Sequence, residues 1–317
     1  MALSDSENAR LDDAARAGWL YFIAGHTQDE IAKKLKVSRA TAQRLVSLCL
    51  SERLITFRLE HPIAACMELS ASLTRAFALS FCEVTPTDPD MPLSIAGIAE
   101  RGARLIESTL RAQKPTIIAI GTGRAMRAAV EQVPPMDCPN HQLVSLVGTI
   151  STDGSASFFD TVARLADLTK ARHYPVPLPV LMSSEAERDQ LLKINPIAKV
   201  RAIADKADLR LVGIGQMDRN AQLHVDGFIT REELLELMRL GATGEITGWA
   251  YTAEGEIIHG GTNRRLTSIP HPRPARSLTV AAATGQAKVP AINAALKGRL
   301  VNGLITDEAT AKALLAG

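Results

Sequence analysis

Two sets of residues have types and spacings that suit chemistry. The first is Ser38, Arg39, Ala40, Thr41, Gln43 and Arg44, a small, polar and basic run. Arg offers a bidentate fork to guanine, Gln to adenine, and a small apolar side chain a contact to the thymine methyl. Gln28 and Lys33 just upstream add a polar contact and a phosphate-seeking charge, so duplex DNA is the expected partner. The second set is four glycine turns, each following a short apolar run: Gly121-Thr122-Gly123-Arg124, Gly148-Thr149, Gly213-Ile214-Gly215-Gln216 and Thr284-Gly285-Gln286-Ala287-Lys288. Such turns expose backbone N–H groups that favour an anion, and Arg124 and Lys288 add charge, which makes a phosphate the natural guest. Glu245 and Asp307 suit the hydroxyls of a sugar or polyol, because an ionised carboxylate only accepts hydrogen bonds. Asp307 also fits a plain helix N-cap. Full GxGxxG spacing and a Walker lysine pattern are both absent, so neither a dinucleotide nor a nucleoside triphosphate is indicated.

The first set needs a helix pair to present it. Thr27 with Glu30 three residues later reads as a capping box, and Ile31, Ala32 and Leu35 form the inward stripe of a scaffold helix. Ala32 is small enough for two helices to cross closely, and Val37 plugs the turn. Ser38 caps a second helix whose apolar positions Ala42, Leu45, Val46 and Cys49 face inward, leaving the polar run outside. Lys36 stands where many such turns carry Gly, so the turn either strains Lys36 into a left-handed backbone or takes another form. The plainer alternative is an ordinary amphipathic hairpin. Asp12 to Ala24 forms a further helix, anchored by Trp19, Leu20, Phe22 and Ile23 and stopped by Gly25. Leu54 to Leu59 has strand character, either a wing or an inter-domain strand, and His61-Pro62 marks a domain boundary. Residues 1–60 are thus expected to be a helix-turn-helix DNA-binding domain and 61–317 a second domain.

Charge supports this locally. The 317 residues carry 36 Lys+Arg against 34 Asp+Glu, too balanced to mark a nucleic-acid binder by composition. From Lys33 to Arg58, however, seven basic residues face the single acid Glu52, the clustering that phosphate contacts need. No apolar run approaches a membrane span and no signal-like leader is present, so a cytoplasmic protein without membrane partners is expected. Cys49, Cys66, Cys82 and Cys138 lack paired spacing, and His224, His259 and His271 are scattered, so structural thiols and no metal or cofactor are expected.

The second set needs a sheet. Ile63 to Phe81 is helical, and from Thr116 onward short apolar runs alternate with amphipathic segments. The runs are Thr116–Ile120, Leu143–Val147, Leu209–Ile214, Leu278–Ala283 and Leu304–Ile305. The helices between and after them are Arg124–Gln132, Phe158–Ala171, Glu185–Lys193, Arg231–Leu240, Val289–Lys297 and Asp307–Leu315. This alternation predicts an α/β domain with a mainly parallel sheet covered on both faces, ligands binding beyond the strands' carboxyl ends.

The chain resembles the SorC family of bacterial sugar-responsive transcriptional regulators over nearly its whole length. The likeness rests on the helix pair with Ser38 to Leu45, on Ile120 to Arg124, Leu211 to Gly215, Gly241 to Ile246, Gly285 to Ile292 and Asn302 to Ala311. The resemblance implies an N-terminal DNA-binding domain and an effector domain similar to sugar-phosphate isomerases and deaminases, assembled as a tetramer or dimer of dimers. It also implies that the loops Gly121–Arg124 and Gly285–Lys288 contribute to a pocket for a phosphorylated sugar or polyol; from the residues themselves, Gly148, Gly215, Gln216, Glu245 and Asp307 are further candidates. Thr122 replaces a bulky aromatic common among relatives, and Gln286 an acidic residue. The competing expectation is an isomerase- or deaminase-like enzyme with an appended helical domain, which would need an acid/base pair such as Asp307 with Glu245 or a histidine.

Overall fold

Capping signals set the amino-terminal elements. This computed structural model describes residues 5–55, 63–150, 154 and 161–317, and the chain divides into two units, Met1–His61 and Pro62–Gly317. The first unit contains α1 (Asp5–Gly18), a π-helical turn at Trp19–Ile23, α2 (Gln28–Leu35) and α3 (Arg39–Ser51). Both halves of the Thr27–Glu30 capping box form, the Glu30 carboxylate accepting the Thr27 N–H at 2.8 Å. Ser38 Oγ accepts the Thr41 N–H at 3.1 Å and opens α3.

Lys36 takes the left-handed option, with φ 57° and ψ 41°. Its geometry lets the Val37 N–H reach the Ala32 carbonyl at 2.9 Å, closing the end of α2 in the manner usually built with glycine. A side chain in this region is strained by its own Cβ. Lys36→Gly is expected to stabilise the amino-terminal unit by up to about 1 kcal/mol, the relieved strain being partly offset by a freer unfolded chain, as chemical denaturation would measure.

Ala17, Ile31, Ala32, Ala42 and Val46 form the core of this unit, with Leu20, Phe22, Leu35, Val37 and Leu45 packed around it. Two of the anticipated anchors are elsewhere: Trp19 is 55% and Ile23 64% exposed. The π turn breaks the helical register, so α1 seats itself through Ala14, Ala17 and Gly18 instead, and a Cβ at Gly18 would overlap the Cys49 sulfur. Leu54 and Ile55 lie in a bend; the rest of the expected strand, and the His61-Pro62 boundary, fall outside the described residues.

The second unit begins with α4 (Ala64–Phe77), which ends at Ala78 in the left-handed conformation. The helix expected to reach Phe81 therefore stops short, and the Ser80 N–H bonds the Asn302 carbonyl at 2.8 Å, steering the chain into β1 (Phe81–Thr85). There follow α5 (Ala96–Leu110), β2 (Ile117–Ile120), α6 (Arg124–Val130), β3 (Gln142–Ile150), α7 (Thr161–Thr169), β4 (Arg172–Pro179), α8 (Glu185–Leu192), α9 (Asn195–Ala204) and β5 (Leu209–Val212). The chain continues through β6 (Gly215–Gln216), α10 (Gln222–Val225), α11 (Arg231–Arg239), β7 (Gly244–Ile246), β8 (Trp249–Tyr251), β9 (Leu278–Ala282), α12 (Val289–Lys297), β10 (Gly303–Asp307) and α13 (Glu308–Ala316).

Seven strands form one sheet in the order β1-β10-β9-β5-β2-β3-β4, every neighbouring pair parallel. Alternate residues of each strand enter different cores. Ile118, Ile120, Leu209, Leu211, Val280, Ala282 and Ile305 pack on one face, and Ala119, Val212, Ala281 and Leu304 on the other. A sheet buried on both faces reads as continuous apolar runs, which is why these strands are visible in the sequence. A separate antiparallel sheet, β6-β7-β8, stands beyond the carboxyl end of β5. No described helix is long and apolar enough to cross a membrane.

Candidate ligand cavity and helix pair

Three glycine turns converge where β2, β5 and β9 end. Gly123 has φ 105° and ends the β2 turn, allowing α6 to start immediately at Arg124. Gly213 and Gly215 turn the chain from β5 into β6, and Thr284 follows β9 on the way to Lys288. Together with the β7–β8 hairpin they wall a cavity of about 460 Å3, within the range of small-molecule sites at strand ends. Thr122, Gly123, Arg124, Gly215, Gln216, Glu245 and Lys288 all line it.

The polar wall is electrostatically tense. Burial pushes the Glu245 carboxyl up, against the opposing pull of the Gly248 N–H and of Lys288. Its Oε2 accepts that N–H at 2.7 Å. Burial lowers the Lys288 ammonium, Glu245 opposing and Arg124 reinforcing the shift. Arg124 is held by the Asp226 carboxylate at 2.7 Å and by the Gln222 side-chain carbonyl. Gln216 Oε1 is buried and makes no hydrogen bond. A buried acceptor without a donor costs about 1–3 kcal/mol, a debt that a ligand hydroxyl would remove.

Other anticipated residues lie apart from the cavity wall. Gly148 is inside β3, not in a loop after it, and pairs with Val176 of β4. A Cβ there would come to 2.5 Å from the Leu178 carbonyl oxygen, so glycine permits two backbones to cross. Gly121 sits behind the wall, donating its N–H to Leu211 O at 2.8 Å. Gly285 donates to Thr310 Oγ1 at 2.9 Å, and Gln286 is exposed. Asp307 is the N-cap of α13: its Oδ1 accepts the Thr310 N–H at 3.1 Å and its Oδ2 the Thr87 hydroxyl at 2.8 Å. Asp307 and Glu245, one of the acid/base pairs anticipated for an enzyme, are therefore not brought together at the cavity.

Sequence reasoning missed much of the apolar wall, including Leu93, Ile95, Val147, Val180 and Phe228, and also Gln222 and Asp226. Apart from Val147, which is within β3, these stand on loops and on the four-residue α10, which lack periodicity. Thr247 and Gly248, beside the anticipated Glu245, also line the cavity.

In the amino-terminal unit, Lys33, Ser38, Arg39, Ala40, Gln43 and Arg44 are exposed, whereas Gln28 and Thr41 are half-buried. Arg39 Nε lies 3.5 Å from Asp29 Oδ1, and Arg44 Nη2 donates to Thr41 Oγ1 at 3.2 Å. Exposed pairs of this kind are worth about 1 kcal/mol or less, so a competing partner displaces them readily. The cysteines are free thiols, and no metal-holding cluster is found among the described residues.

An α/β unit with a cavity at its strand ends, preceded by a helical unit, has the architecture of a ligand receptor joined to a second module. A family model described as "Putative sugar-binding domain" matches residues 61–316. The erythritol catabolism regulatory protein EryD of Brucella abortus (strain 2308) is 32% identical over 302 residues, covering 95% of this chain and 96% of that protein. The transcriptional regulator LsrR of Enterobacter sp. (strain 638) is 30% identical, with 95% and 92% covered. Among solved structures, the full-length sorbitol operon regulator SorC from Klebsiella pneumoniae shares the fold, with a TM-score of 0.68 at 24% identity over 97% of this chain and 99% of that one. The chain belongs to the SorC family of sugar-binding transcriptional regulators.

Proposed function

We propose that this protein regulates a carbohydrate or polyol catabolic operon, its affinity for operator DNA being set by a phosphorylated sugar or polyol. In this proposal residues 1–60 bind DNA, and residues 61–317 bind the effector and assemble the chain as a dimer of dimers in the cytoplasm. The observation that carries it is the cavity at the strand ends, where Lys288 and Arg124 supply cationic charge and Gln216 and Glu245 supply acceptors. Cations suit a phosphoryl group and acceptors suit hydroxyls. EryD is named for erythritol catabolism, so phosphorylated four-carbon polyols head the set to be tried.

A ligand moves operator affinity only if it binds one conformational state better than the other, and about 1–3 kcal/mol of coupling gives roughly 5- to 150-fold. The deciding experiment pairs a thermal-shift screen of phosphorylated pentoses, hexoses and alditols with fluorescence anisotropy on genomic operator fragments. A hit that shifts melting and also moves operator affinity supports the proposal. Equal affinity for genomic and random duplex, with and without every compound, would sink it.

The exposed face of α3 carries its own test. Arg39→Ala and Gln43→Ala should each cost about 1–3 kcal/mol on the operator and relax sequence preference, if each removes a bidentate base contact. Lys33→Ala should instead weaken all duplexes alike and flatten the salt dependence. Footprints of unchanged specificity would remove Arg39 and Gln43 from the base-reading role.

A further inference from the structure

A second cavity, of about 380 Å3, opens beside the amino ends of β5 and β9, away from the carboxyl-end loops of the first. Its walls bring three cations together from separate segments: Lys206 from the turn before β5, Arg210 from within that strand, and Arg276 from the approach to β9. One carboxylate, Asp205, faces them.

Arg210 is only 2% exposed. It donates to the Pro270 carbonyl at 3.2 Å and to the Ala204 carbonyl at 3.0 Å, and its nearest carboxylate oxygen, on the 71%-exposed Asp205 side chain, is 3.8 Å away. Two neutral carbonyls and a distant, solvated carboxylate leave a buried guanidinium short of negative charge.

The second observation is His271, another wall of this cavity and 7% exposed. Its Nε2 is 2.8 Å from the Thr247 hydroxyl, whereas its Nδ1 is buried with no hydrogen-bond partner. Burial, with Arg210 adding to it, lowers the ring's pKa to about 3, so the imidazole is neutral and carries one proton. The proton sits on Nδ1 in the tautomer in which Thr247 donates to Nε2. Thr247 holds the ring from a strained position: it has φ 51°, an unusual conformation for a β-branched residue.

We propose that this cavity is an anion site, taking a phosphate dianion, free or as the monoester of a small metabolite, on Arg210, Arg276, Lys206 and the Nδ1–H of His271. The excess of cations matches a dianion, and the guanidinium fork fits phosphoryl oxygens. The site is separate from the strand-end cavity, which it meets through the Thr247–His271 hydrogen bond, and it does not rest on the proposed regulatory role.

The test is calorimetric titration of the full-length protein with inorganic phosphate and with glycerol 1-phosphate, at ionic strength held constant by chloride. It uses a Lys288→Met background, in which the first cavity lacks the Lys288 ammonium. One saturable phosphate per chain should remain in that background. Adding Lys206→Gln and Arg276→Gln, both at exposed positions that leave the core intact, should weaken it at least tenfold, with unchanged circular dichroism. Tighter binding of the monoester than of inorganic phosphate would identify the occupant as a metabolite, and the reverse as free phosphate. Absence of saturable binding of both probes in Lys288→Met, or equal binding after the two Gln substitutions, would overturn the assignment.

Discussion

Lys288→Met should lower affinity for the phosphorylated effector by about 30- to 150-fold while leaving operator binding in the absence of effector close to that of the unmodified protein. The size follows from the roughly 2–3 kcal/mol that a hydrogen bond to a charged group contributes in a buried site. Lys288 suits that role because burial already disfavours its charge and Arg124 opposes it further, with Glu245 alone pulling the other way. A phosphoryl group would relieve what the protein leaves unrelieved. Methionine keeps the length and apolar stem of lysine, so the wall of the cavity retains its shape. Isothermal titration with the effector identified by thermal shift gives the affinity, and anisotropy gives the operator response. A Lys288→Met protein that binds effector with unchanged affinity would move the phosphate to another part of the wall.

The contrast between what the sequence revealed and what it concealed follows from periodicity. Strands buried on both faces declare themselves as apolar runs, so Ile117–Ile120, Leu209–Val212 and Leu278–Ala282 were foreseeable within a residue or two. Val289–Lys297 was foreseeable to the residue because Pro290 and Gly298 bracket it. By contrast, β1 and β4 were missed: Phe81–Thr85 is partly polar and only half covered, and Arg172–Pro179 contains three residues that look like turn or surface, Arg172, Pro175 and Pro177. The cavity divides in the same way. Glycines and charges after apolar runs pointed to Arg124, Gly215 and Lys288, yet a loop glycine and a strand glycine look identical in a sequence. Similarly, Asp307 is a carboxylate at a strand end, and only the geometry reveals that its oxygens are committed to Thr310 and Thr87.

Gly148 turns that ambiguity into an experiment. As a loop glycine at an anion site, Gly148→Ala would weaken effector binding and leave the fold alone. The structure requires the opposite, because the new methyl would stand 2.5 Å from the Leu178 carbonyl oxygen and 3.0 Å from the Pro179 carbonyl carbon. These are backbone atoms of β4, held to β3 along an edge of the sheet, and cannot swing aside as a side chain can. Relief demands that β4 move away from β3, disturbing Val176, Leu178 and Val180, all buried in one core. Overpacking of this kind costs about 3 kcal/mol, which in a domain of this size lowers Tm by roughly 6–12 °C. Val147 and Val180 also line the strand-end cavity proposed for the effector, so the measurement must separate folding from binding. Calorimetric melting gives the first, and effector titration well below the transition gives the second. The expected pattern is a large fall in Tm with effector affinity changed by less than about threefold; a protein of native Tm that has lost its effector would instead return Gly148 to the binding site.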